Sequence, residues 1–204
     1  MTDRRGALGW LEKRAPTLFL VAGGLAVVFG ANTVLRTFVG TSYPVVQDVI
    51  GPIGFFVGVV GLFGLYPALA DRAPTLARVA AAVAVVPAVG YFAIVVMGIG
   101  STAGVLSYPT GPLAAIPLVV IVTMVLAFGL FGVTSLWAGV RSRVVGALLL
   151  VESAMFLLLL LNVVPFVLTD IGHVLAYLGV GVILWTEGVP TGSEEPMADV
   201  DAAP

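Results

Sequence analysis

The 204-residue chain contains no cysteine. That excludes disulfides, iron–sulfur clusters, thiolate metal sites and cysteine nucleophiles, and leaves the redox compartment open. Histidine occurs once, at His173, too few for a two-histidine metal or haem site. Lysine also occurs once, at Lys13, outside every long apolar run, so no retinal-type Schiff base is available. Charge is scarce as well. Charged residues make up 10% of the chain, where a soluble domain carries about 25%. With a net charge of −2 and no continuous basic stripe, nucleic acid is not expected as a partner.

Reactive constellations are missing too. There is no G-x-S-x-G elbow, no H-E-x-x-H pair and no glycine-rich phosphate loop preceding a lysine. Ser153 and His173 are the materials of an intramembrane serine protease, but no recognisable motif surrounds them. No catalytic, cofactor-binding or metal-ligating residue is therefore assigned, no cofactor is expected, and the expected class is non-enzymatic.

Hydrophobic residues make up 60% of the sequence and arrive in long uninterrupted runs. About 20 apolar residues in a helix cross a hydrocarbon core of roughly 30 Å, so the lipid bilayer is the solvent of this chain. Six spans are predicted, at Pro16–Leu35, Val49–Ala70, Val79–Gly100, Pro112–Val140, Val144–Val163 and Pro165–Trp185. The fold class is all-α: one polytopic bundle of six transmembrane helices over residues 16–186, with no soluble domain. Residues 1–15 read as a cytoplasmic segment, an amphipathic turn on the membrane surface anchored by Trp10. Residues 187–204 read as an acidic, disordered cytoplasmic tail. A cleaved signal peptide is rejected, because the first run is too long and lacks a small-x-small cleavage site.

Arg4, Arg5, Lys13 and Arg14 precede the first span, Arg72 and Arg78 flank the second connection, and Arg141 and Arg143 the fourth. Only Arg36 lies on the opposite side. The positive-inside rule thus places both termini in the cytoplasm of a plasma-membrane protein. The longest external connection, "GIGSTAGVLSYPTGP", is neutral and either lies in the interface or dips into the bundle. "GLFGLYPALADR" at Gly61–Arg72 parallels "GLFGVTSLWAGVR" at Gly129–Arg141. This is either a duplication of a two-helix unit or a coincidence of common membrane residues.

Small residues recur in register, at Gly54, Gly58 and Gly61 and at Gly172, Ala176 and Gly179. Such stripes let helices approach closely, either inside one bundle or across a homo-oligomer interface. Pro52, Pro67, Pro87 and Pro117 each remove a hydrogen bond and tend to kink a span.

Ionisable groups at membrane depth are costly and usually face the bundle interior. The candidate intramembrane polar site comprises Glu152, His173, Asp170, Tyr177, Asn32 and Arg36. Asn32 and Arg36 lie one turn apart near the outer end of the first span, where Arg36 can snorkel to the interface. Asp170, His173 and Tyr177 share one face of the sixth span, Asp170 near enough to the surface to be wet. Counting equal steps back from a hairpin tip near Val163–Val164 puts Glu152 level with about residue 175. His173 is then about 3 Å off in height at ~1.5 Å per residue. Glu152 pairs with His173, or is protonated and bonds a backbone carbonyl or a hydroxyl such as Thr134 or Ser135.

"VRSRVVGALLLVESAMFLLLLL" following "LFGVTSLWAG" resembles a pattern in small, uncharacterised six-helix integral membrane proteins of bacteria and archaea, where a short basic loop also joins two apolar spans. The resemblance covers the second to fifth spans, implies the six-span architecture and carries over no functional residue. The near-absence of lysine and the acidic tail suit a salt-adapted microbe such as a halophilic archaeon. The expected function is a structural, accessory or sensory membrane component. The alternative is a small transporter or channel with a proton-responsive Glu152/His173 pair.

Overall fold

In the computed structural model, residues 3–107, 115–140 and 142–188 are described, all six spans are helical and no strand occurs among these residues. The helices are α1 (Asp3–Val34), α2 (Gly51–Arg72), α3 (Pro74–Thr102), α4 (Ile116–Ala138), α5 (Arg143–Leu160) and α6 (Phe166–Glu187). Two π-helical turns, Leu35–Val39 and Val46–Ile50, extend α1 and precede α2. Each helix packs on its neighbours in sequence and α6 closes against α1, so the bundle is a ring. Short connections leave antiparallel neighbours as the available arrangement. All six helices are long and apolar enough to cross a membrane, and the chain is a multi-pass membrane protein.

Its outside is as apolar as a bilayer requires. Val89, Phe92, Leu118, Leu126, Leu168 and Leu175 are exposed, as only a lipid-facing surface tolerates. Trp10, Trp137 and Trp185 are also exposed. They sit at the start of α1 and the ends of α4 and α6, which alternation of direction puts at the same end of the bundle. Tryptophan concentrates at membrane interfaces in this way.

Several boundaries differ from those read in the sequence. Residues 3–15 do not form a separate turn. From Asp3 onward the chain is already α1, running through Pro16. Gly64 of α2 explains the continuation. A Cβ there would sit 2.6 Å from the Leu11 carbonyl oxygen and 2.7 Å from Ala15 Cβ, so α1 and α2 touch backbone to backbone at that depth. The connection expected over Asp71–Arg78 shrinks to Ala73, because Pro74 starts α3. Proline suits a first helical turn, where its missing N–H has no partner to lose. Pro52 and Pro117 occupy first turns for the same reason, so only Pro67 and Pro87 of the four interrupt a helix. Gly139 stops α4 with a left-handed φ of 60° and an N–H on the Ser135 carbonyl. Met1 and Thr2, Arg141, most of the acidic tail and the Tyr108–Pro112 part of the external connection lie outside the described residues.

The glycine stripes are filled from within the chain. Cβ atoms at Gly54 and Gly61 would meet Leu25 and Phe19 of α1 at 3.1 Å, and at Gly58 the Tyr177 ring of α6 at 2.7 Å. Gly172 abuts Met155 and Gly179 abuts Leu148, both on α5. The two similar sequence segments do not pack alike. Gly61 and Gly64 face α1, the helix before their own, whereas Gly129 and Gly132 face α5, the helix after theirs. The likeness does not extend to a duplicated packing.

Candidate functional site

Glu152 of α5 and His173 of α6 meet inside the ring. Glu152 Oε1 lies 2.9 Å from His173 Nδ1, with 0% and 1% of the two residues exposed. The α5–α6 hairpin sets this height. Its tip is the Leu161–Pro165 connection, where Asn162 takes a left-handed φ of 52°, a conformation asparagine tolerates better than most residues. Thr134, one of the rival partners, instead donates to the Leu130 carbonyl of its own helix at 2.6 Å. Ser153 donates to the Val125 carbonyl at 2.7 Å and ties α5 to α4 beside the pair.

Aromatic rings enclose the imidazole. Phe156, one turn along α5 from Glu152, is 4.5 Å from it centroid to centroid, and Phe55 of α2 meets it edge-on at 5.3 Å. On the far side Tyr177 fills the ring centre against Phe19 and Phe128. Its hydroxyl approaches the Glu152 carboxylate, as does that of Tyr91 on α3 less directly. Even so, neither Tyr177 Oη nor Glu152 Oε2 has a hydrogen-bond partner of ordinary geometry. The network thus holds one short bond, with the Tyr177 hydroxyl close to the Glu152 carboxylate but outside ordinary hydrogen-bond geometry. In a low-dielectric interior such an arrangement is costly. Buried polar atoms without partners are uncommon in folded proteins, and ionisable groups at membrane depth more so.

The remaining candidates lie nearer the end of the bundle that carries the two π turns. Asn32 accepts the Tyr43 N–H at 2.8 Å through Oδ1, pinning the α1–α2 connection, while its Nδ2 is unpartnered. Arg36 is exposed, as snorkelling requires, and donates through Nη1 to Gln47 Oε1 at 3.0 Å. Asp170 is not surface-wet as read from the sequence: it is 6% exposed, covered by α1 at Gly30 and Thr33, and its Oδ2 has no partner.

A cavity of about 180 Å³ joins these groups, with His173, Asp170, Thr33, Arg36 and Gln47 in its wall. The cavity runs from His173 to the Arg36 end, where Arg36 and Gln47 line it. Arg36 and Gln47 come from the two π turns, and π-helical turns recur at functional sites. The rewinding ends at Gly51–Pro52, where proline offers no N–H to the preceding turn.

The structure therefore brings Glu152, His173 and Tyr177 together in the core and puts Asp170 and Arg36 on one cavity that His173 also lines. Asn32 is not in that cavity's wall and serves the nearby loop. Sequence reading missed Thr33, Gln47 and Tyr91. Gln47 is the only glutamine in the chain, a signal that was available. Tyr91 offered none, since a tyrosine in a span reads equally well as an interfacial ring. Among the described residues, no three His, Cys, Asp or Glu side chains gather as a metal site would require. No family model, curated protein or solved structure matches the chain; its function is read from these residues and their geometry.

Proposed function

We propose that the protein is a non-enzymatic sensory or accessory component of the plasma membrane that responds to protons through Glu152 and His173. The observation that supports this is the buried pair itself: one imidazole–carboxylate bond, an unbonded second oxygen, and a cavity reaching the imidazole. Histidine titrates nearest neutral pH, and a partner carboxylate can exchange a proton with it through the bond they share. Moving that proton changes what Glu152 Oε2 and Tyr177 Oη can offer each other, and Tyr177 packs against α1, α2 and α4 through its ring contacts. A change of protonation is thereby felt in most of the ring.

The test is infrared difference spectroscopy of the full chain in nanodiscs between about pH 5 and about pH 8. A carboxyl C=O band that moves with pH and vanishes in Glu152→Gln is expected. A spectrum indifferent to pH across that range would leave the pair a packing device. The two π turns at the cavity mouth favour a second reading, a proton-coupled transporter, since local rewinding allows helix ends to move. Proteoliposomes given an acid pulse separate the two. The sensory reading expects no proton uptake above that of Glu152→Gln, and uptake above it identifies a transporter.

Both termini are placed in the cytoplasm in this reading, supported by the basic residues gathered at one end. Ser142 lies at that end, its N–H donating to Glu187 Oε1 at 3.1 Å, and Ser107 lies at the other. In the cysteine-free background, an impermeant thiol reagent applied to intact cells should label Ser107→Cys and spare Ser142→Cys. The opposite pattern reverses the orientation.

A further inference from the structure

We infer that the cavity above His173 is a binding site for a small zwitterion, its ammonium end on Asp170 and its anionic end on Arg36. The two charged groups share the cavity wall without direct contact. Asp170 Oδ2 is buried and unpartnered, and no ion pair within 4 Å joins Asp170 to Arg36. Arg36 spends one donor on Gln47, and a guanidinium has five in a fork that matches a carboxylate or phosphate. A carboxylate and a guanidinium held apart across one small space are complementary to a solute carrying both charges. A simple cation would meet Arg36, and a simple anion would meet Asp170; each pays a repulsion the zwitterion avoids.

Size and lining agree with this. The volume of about 180 Å³ equals roughly six waters at ~30 Å³ each, a space for a molecule like a small amino acid rather than a drug-sized ligand. Phe29, Phe55 and Phe166 form the apolar part of the wall, and phenyl faces attract an ammonium group. Thr33, beside Asp170, adds a hydroxyl at the cationic end. The same chemistry is available from a free solute or from an aminoethyl phosphate headgroup. On the lipid side Asp170 also lines a second, apolar groove of about 340 Å³ between α1 and α6, which gives a headgroup a route. The site goes beyond the proton-responsive reading and does not need Glu152 to titrate.

The test is isothermal titration calorimetry on the full-length protein in detergent, with β-alanine as free solute and phosphoethanolamine as headgroup. Saturable binding of at least one of them is expected. Propionate and β-alaninamide, each carrying one of the two charges, should bind at least about tenfold more weakly. Arg36→Gln, at an exposed position, should weaken binding by about tenfold or more, as should Asp170→Asn, with the melting temperature of each variant checked alongside. Glu152→Gln should bind as the wild type does, which separates this site from the buried pair. Both probes are soluble, so the source is read by competition: loss of probe binding in phosphatidylethanolamine nanodiscs identifies a lipid headgroup, and unchanged binding there a free solute. The inference is overturned if neither probe binds, if a single-charge probe binds equally well, or if Arg36→Gln leaves affinity unchanged.

Discussion

Replacing His173 by leucine is expected to destabilise the bundle by about 2–4 kcal/mol, whereas Glu152→Gln should cost about 1 kcal/mol or less. His173→Leu removes the 2.9 Å hydrogen bond to Glu152 Oε1 and leaves that oxygen without its partner at zero exposure. Glutamine keeps an oxygen where Glu152 Oε1 now meets the imidazole and carries no charge to strand. Packing is close to conserved, since leucine is only slightly larger than histidine and would sit against Phe55 and Phe156. The double variant Glu152→Leu/His173→Leu should regain much of the loss, because no ionisable group of the pair is then left without its partner. Reversible unfolding in mixed micelles measures all of these. Equal losses for His173→Leu and Glu152→Gln would mean that the pair contributes shape and no polar bonding.

Gly58→Leu is expected to have an effect at least as large, about 3 kcal/mol or failure to accumulate in the membrane. A Cβ at Gly58 would already lie 2.7 Å from Tyr177 Cε1 and 2.9 Å from its Oη. Tyr177 is buried among Phe19, Phe55 and Phe128 and has no vacant direction to move. Gly58→Ala should show a smaller loss, of about 1–2 kcal/mol, and also displace the hydroxyl from Glu152. Gly24→Leu is the control, because a Cβ there meets nothing within 4 Å and the position faces lipid. Thermal unfolding in detergent should separate Gly58→Leu clearly from Gly24→Leu. Matching melting temperatures would place the α2 stripe outside the packed core.

The six spans were legible because lipid makes one demand on every residue of a span, and that demand is readable without knowing the neighbours. The level of Glu152 against His173 was legible for a related reason: a short hairpin tip and a constant helical rise convert sequence distance into depth. Rotation about the helix axis has no such rule. Whether Glu152 would turn to His173 or to Thr134 was decided by packing, with Phe55 and Phe156 clamping the imidazole. Asp170 was misread as wet because depth alone was considered, while α1 covers it from the side at Gly30 and Thr33. The π turns holding Arg36 and Gln47 had no signature in composition. The role of Gly64 depended on Leu11 of α1, 53 positions earlier in the chain.

The placement of Glu152 and His173 on consecutive helices has a consequence for biogenesis. A carboxylate presented alone at mid-bilayer depth opposes insertion of its helix, by roughly 2.5–3.5 kcal/mol for an aspartate on insertion scales. Here the group that masks it lies 21 residues along the chain, on the other arm of the same hairpin. If α5 and α6 leave the insertion machinery as a unit, the hydrogen bond can form before α6 has docked on α1. The hairpin then enters lipid with its polarity internally compensated. Swapping the same two residues onto helices that meet only when the ring closes would keep the final contact and lose that protection.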